Sequence, residues 1–132
     1  MTGEKNLKEL LKKMTPVLNP GEYVFLTVSN ADEVDRKNTL FEFKEKEGVT
    51  VVVEREIADK LNFTYDYVAS WITLMVHSSL NAVGFTAAIS TTLAENNISC
   101  NVVAGYYHDH IFVAVDDAQK AINLLKNLAE KN

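Results

Sequence analysis

An α+β fold, with helices on one face of an antiparallel sheet, follows from three features of this 132-residue chain. Hydrophobic residues make up 47% and charged residues 23%, enough apolar surface for one domain or for two very small ones sharing a core. Runs of β-branched and aromatic residues alternate with apolar stripes at helical spacing. From about residue 68 onward the order reads strand, helix, strand, strand, helix.

Leu7, Leu10, Leu11 and Met14 share one helical face, and Pro16 ends that helix because it can neither donate its N–H nor fit the preceding turn. "NPG" at 19–21 is a turn, and "EYVFLTVS" after it has the composition of a strand. "NADEVDRKN" is a polar loop. "TLFEFKE" and "VTVVVERE" form a hairpin closed around Lys46, Glu47 and Gly48, and "REIADKLN" a short helix. "YVASWITLMVHS" is apolar on both faces, as a central strand requires. Phe85, Ala88, Ile89, Thr92 and Leu93 then lie along one side of a helix that Asn96 and Asn97 stop. "SCNVVAG" and "HIFVAV" are strands on either side of the "YYHD" turn. Asp116 is expected to cap a last helix buried through Ala118, Ala121, Ile122, Leu125 and Leu128. This is the ferredoxin-like βαββαβ order short of its final strand, and a strand from residues 22–54 is expected to fill the gap.

Charge narrows the function. The net charge is −5 and the basic residues are scattered, which argues against nucleic acid as a partner, since phosphate binding needs clustered Lys and Arg. Lys5, Lys8, Lys12 and Lys13 read as the solvated face of the first helix. The single cysteine, Cys100, has no partner for an intramolecular disulfide and sits in the apolar run "ISCNVVAG", where a small buried hydrophobe is expected rather than a nucleophile. "MTGEKNLKELLKKM" lacks the apolar centre of a signal peptide, and no apolar run approaches the length of a membrane span. A soluble, cytoplasmic protein without a membrane partner is expected.

"WITLMVHSSLNAVGFTAAISTTLAENNISCNVVAGYYHDHIFV", with Gly84 at the strand-to-helix junction, resembles an ACT domain, the small βαββαβ regulatory module that commonly binds amino acids. "PVLNPGEYVFLTV" and "EGVTVVVEREIADKL" resemble the N-terminal part of small bacterial proteins carrying two ACT-like units. The resemblance spans roughly residues 14–130. It implies an ACT-type antiparallel sheet in two units packed together, an N-terminal one over residues 1–63 (a helix plus antiparallel strands) and a C-terminal one over 64–132. It also implies a non-catalytic, often dimeric, regulatory module that needs no cofactor and acts on a separate partner protein.

In the ferredoxin-like order the end of "WITLMVHS" lies near the start of "HIFVAV", so His77 and His110 are expected side by side. By analogy with ACT domains the ligand site comprises His77, Ser78, Asn81, Val83, Gly84 and Phe85, facing Tyr107, His108, Asp109 and His110 across it. Free N–H groups at a helix start favour an amino-acid carboxylate, and Gly84 lets the backbone approach a ligand. Asp109 is placed to pair with an α-ammonium group. Each feature has a plainer reading: close helix–strand packing for Gly84, a tight turn for His108 and Asp109, hydrogen-bonded core histidines for His77 and His110. Two other functions stand beside ligand sensing. One is metal binding or metal-dependent catalysis by the cluster of His77, His108, Asp109 and His110, although no HExxH or HxxxH helix is present to fix it. The other is a purely structural homodimerisation role.

Overall fold

A computed structural model describes residue 3 and residues 5–132. The chain forms two compact units. The central unit is Gly21–Ala69; the discontinuous unit joins Met1–Pro20 to Ser70–Asn132. This division differs from one at residue 63, because the first twenty residues belong with the C-terminal half.

The discontinuous unit begins with α1 (Leu7–Lys13), capped by Asn6, whose side chain accepts from the Glu9 N–H at 3.1 Å. Met14 leaves the helix with extended angles, and β1 (Thr15–Leu18) follows at once. β1 pairs antiparallel with β5 (Val68–Met75), Thr15 opposite Met75 and Leu18 opposite Ile72. After α3 (Phe85–Ala94) come β6 (Asn101–Ala104) and β7 (Asp109–Ala114), paired as a hairpin, and then α4 (Ala118–Glu130). The strand order β1–β5–β7–β6 is the complete ferredoxin-like sheet.

The missing strand is therefore supplied by residues 15–18 and not by residues 22–54, which build the other unit. Pro16 does end the helix, but it sits inside a strand paired on one side only, a place where a missing N–H is tolerated.

Leu10, Leu11, Ile72, Leu74, Ile89, Leu93, Ile111, Val113 and Leu125 fill the core between helices and sheet. Burying each such side chain contributes about 1.5–3 kcal/mol. α3 buries Phe85, Ile89 and Leu93, every fourth residue, and stops where Asn97 adopts φ 59° and the Ile98 N–H returns to the Leu93 carbonyl. α4 buries Ala118, Ala121, Ile122 and Leu125 as expected, with Leu128 partly buried. Its start differs from expectation: Asp116 lies within a 3-10 turn, Val115–Asp117, and the N-cap residue is Asp117, without a side-chain capping bond.

In the central unit β2 (Tyr23–Val28) pairs with β4 (Val49–Glu54), and β4 with β3 (Thr39–Lys44), as the expected hairpin requires. Val68 and Ala69, the first residues of β5, pair with Val24 and Tyr23. α2 (Arg55–Lys60) follows β4 directly. The order β3–β4–β2–β5 is again ferredoxin-like, with two 3-10 turns, Ala31–Glu33 and Arg36–Asn38, where the first helix would stand. Those turns are locally specified. Asn30 accepts from the Asp32 N–H, and Glu33 reaches back to the N–H groups of Ser29 and Asn30. Val24, Leu26, Val28, Val34, Val51, Val53 and Ala58 form this unit's own core.

Candidate functional site

Between β5 and α3 the chain runs through a loop, residues 76–84, that meets the β6–β7 turn. Gly105 closes that turn, its N–H bonding the His108 carbonyl at 2.9 Å; a Cβ there would lie 2.7 Å from the same oxygen. The Ser78 hydroxyl donates to an Asp109 carboxylate oxygen at 3.4 Å. The His108 ring Nδ1 lies 3.4 Å from the Val76 carbonyl. The His77 ring lies 5.7 Å from that of Tyr107, which packs edge-on to Tyr106 at 5.0 Å. Loop and turn thus form two adjoining walls, as the strand order predicts.

Gly84 ends the loop with φ 94°, a conformation that side chains disfavour, and is the N-cap of α3 with no side-chain capping bond. A Cβ there would also come 3.3 Å from Leu7 of α1. Backbone conformation and helix packing are sufficient to require glycine here. Asp109 is the unusual group. The residue is 7% exposed, and burial raises its carboxyl above the ordinary value, against the lowering effects of Ser78 and of His110 and His108. A carboxylate offers about four acceptor positions, and one long hydroxyl bond uses little of that capacity.

His110 points elsewhere. Adjacent strand residues face opposite sides, and its Nδ1 accepts from the Trp71 indole N–H at 3.0 Å, with the Thr73 hydroxyl at 3.1 Å. The Asn19 amide donates to Thr73 at 2.9 Å, which leaves the hydroxyl proton free to point at His110. Indole N–H only donates, so Nδ1 is the lone-pair nitrogen and the proton of the neutral ring is on Nε2. Burial, then electrostatic repulsion from the neighbouring His108 ring, lowers the His110 pKa, while Asp109 opposes.

Among the expected site residues, His77, Ser78, Tyr107, His108 and Asp109 meet where loop adjoins turn, and Asn81, Val83 and Gly84 belong to that loop. Phe85 is buried in the core at 2% exposure, so only its backbone faces the loop. The expected neighbours His77 and His110 have separate partners: Tyr106 and Tyr107 for one, Trp71 and Thr73 for the other. The reason is that His77 lies two residues beyond the end of β5, outside the strand alternation that placed it. No group of three or more His, Cys, Asp or Glu among the described residues is arranged to hold a metal ion. Cys100 is half-buried, and desolvation pushes its thiol up to about 11, which keeps it protonated and poorly nucleophilic. Trp71, Thr73 and Asn19 were not singled out from sequence. Thr73, polar between Ile72 and Leu74, was the available signal of a second, partly polar sheet face.

Two ferredoxin-like units, one contiguous in sequence and one closed by β1 from the chain's first segment, define a small α+β module. ACT-domain family models match residues 2–70 and 67–127, and the chain belongs to the ACT-domain family. A Vibrio cholerae protein of unknown function, described as a possible transport protein, is 47% identical, with 95% of this chain and 97% of that one covered at a TM-score of 0.84. A protein from Agrobacterium tumefaciens is 17% identical, covering 88% and 89%, at a TM-score of 0.68. Aspartate kinase from Clostridium acetobutylicum is 16% identical over 87% of this chain and 34% of its own, at a TM-score of 0.60. The last two likenesses show the shared fold. No curated protein matches the sequence. No helix among the described residues is long and apolar enough to cross a membrane. The family supports a small-molecule-binding regulatory module.

Proposed function

We propose that this chain is a non-catalytic sensor that binds an amino acid between the 76–84 loop and the 105–109 turn, and that binding alters its association with a separate protein. The observation that carries the reading is Asp109: a buried carboxylate with spare acceptor capacity, bonded to Ser78 of the loop that leads into α3. An α-ammonium group next to it relieves the cost of burying that charge. The unbonded N–H groups at the start of α3, with Asn81 nearby, suit the α-carboxylate. Ser78, His108 and Tyr107 flank the ammonium end, and His77 stacks beyond them.

Leu80, Val83, Tyr106 and Tyr107 leave a large apolar and aromatic area exposed around this site. Such a patch on a small protein marks an interaction surface, and a second copy of the chain covering it would make a homodimer with the ligand at its edge.

A thermal-shift panel of the proteinogenic amino acids tests the reading, because a ligand that binds the native state raises its melting temperature. At a ligand concentration about a hundredfold above Kd the stabilisation is about 2.7 kcal/mol. The expected result is a rise for one or a few related amino acids that Asp109→Asn removes. No rise with any of them at millimolar levels contradicts the proposal.

A further inference from the structure

The central unit contains a cleft of about 280 Å3 of its own. Its walls come from the start of β2 (Tyr23), the second 3-10 turn (Lys37 and Asn38), the start of β3 (Leu40), the end of β4 (Glu54) and the first turn of α2 (Ile57). An irregularity in the sheet opens it. Thr39 lies opposite Val53 and Phe41 opposite Val52, so Leu40 is an extra residue bulged out of the ladder. The turn feeding the bulge is pinned by the ion pair of Arg36 with Glu42 at 2.6 Å and by the Thr39 hydroxyl, which donates to the Asp35 carbonyl at 3.1 Å.

The lining is chemically balanced. Lys37 makes no hydrogen bond or ion pair among the described residues, and neither does the Asn38 side chain. Glu54 stands opposite Tyr23 in the β2–β4 ladder, and its negative charge, after burial, holds the Tyr23 phenol above its ordinary value. Tyr23, Leu40 and Ile57 supply an apolar floor between one free cation and one free carboxylate. A polyphosphate would find a single positive charge, and a dication a single carboxylate.

We propose that this cleft is a second ligand site, taking a small zwitterion with a short apolar body. The ligand's ammonium pairs with Glu54, its carboxylate with Lys37 and the Asn38 amide, and its body lies against Leu40, Ile57 and the Tyr23 ring. Charge-assisted bonds at both ends favour a molecule carrying both charges. This site is independent of the loop beside α3 and uses none of its residues.

Amide chemical-shift mapping of the full chain with L-alanine, L-valine and L-leucine tests it. The expected result is saturable shifts at residues 37–40 and 54–57 for at least one of them. N-acetylation or amidation of that amino acid, removing one charge at a time, should weaken binding by at least about tenfold, as should Lys37→Met and Glu54→Gln. Both side chains are exposed, so the variants should retain the native spectrum elsewhere. Absence of shifts at 37–40 with all three amino acids, or equal binding of the acetylated or amidated forms, overturns the proposal. Shifts confined to residues 77–84 and 107–109 overturn the second site while leaving the first intact. Shifts confined to 37–40 and 54–57 support the second site.

Discussion

Asp109 and His110 are neighbours in β7 whose environments push their titrations in opposite directions. For His110 the folded pKa is lowered, so its contribution to stability is fully present above the ordinary value of 6.5 and is lost as pH falls through the folded value. Replacing Trp71 with Phe removes the N–H that holds Nδ1 as an acceptor. The His110 pKa, read from the ring carbon shifts in an NMR titration, should then rise; an unchanged value would remove the indole bond from the account. For Asp109 the folded pKa is raised, so its contribution is present below the ordinary 3.8 and is lost as pH rises through the folded value. Asp109→Asn should therefore stabilise the ligand-free protein at neutral pH, measured by urea unfolding, while weakening ligand binding. A carboxylate kept only for structure would give the opposite stability change. Opposed effects of this kind are expected where a binding group is held at a cost to the fold.

Among the elements, α3 was legible down to its buried residues, because Phe85, Ile89 and Leu93 repeat every four positions and Asn97 marks its end. β1 was not. Four residues with a proline give no alternation to read, and Pro16 served equally as a helix stop. What makes Thr15–Leu18 a strand is the open edge of β5, a partner more than fifty positions away. The loop site was half legible. Strand order brought the 76–84 loop beside the 105–109 turn, which Ser78 and Asp109 join, but could not say which way His77 points once β5 has ended. Gly84→Ala tests the junction: a left-handed φ and the approach of Leu7 predict a loss of about 1–2 kcal/mol in urea unfolding. Leu10→Ala, in the helix the chain's first segment contributes to this core, should cost about 2–5 kcal/mol by the same measurement. A loss near zero would mean that α1 is not part of the folded unit.

At the scale of the whole molecule, composition and element order were sufficient for the fold class, since two ferredoxin-like sheets need only strands and helices in the right sequence. The allotment of segments to units was not readable, because α1 and β1 pack with elements distant in sequence. If a second copy covers the exposed patch of Leu80, Val83, Tyr106 and Tyr107, light scattering should give twice the monomer mass. A Val83→Glu and Tyr107→Glu double variant should then return a monomer, since charged groups in an apolar contact oppose association. A monomeric parent chain would remove the homodimer from the proposal.

In the proposed function the 76–84 loop and the 105–109 turn hold an amino acid through Asp109. Amide chemical-shift mapping of the full chain against the proteinogenic amino acids tests it most directly. Saturable shifts centred on Asn81–Gly84 and Tyr107–Asp109 are expected for one amino acid or a few related ones, with binding weakened by at least about tenfold in Asp109→Asn. Spectra in which these residues do not move with any amino acid, or move equally in the Asp109→Asn variant, would contradict it.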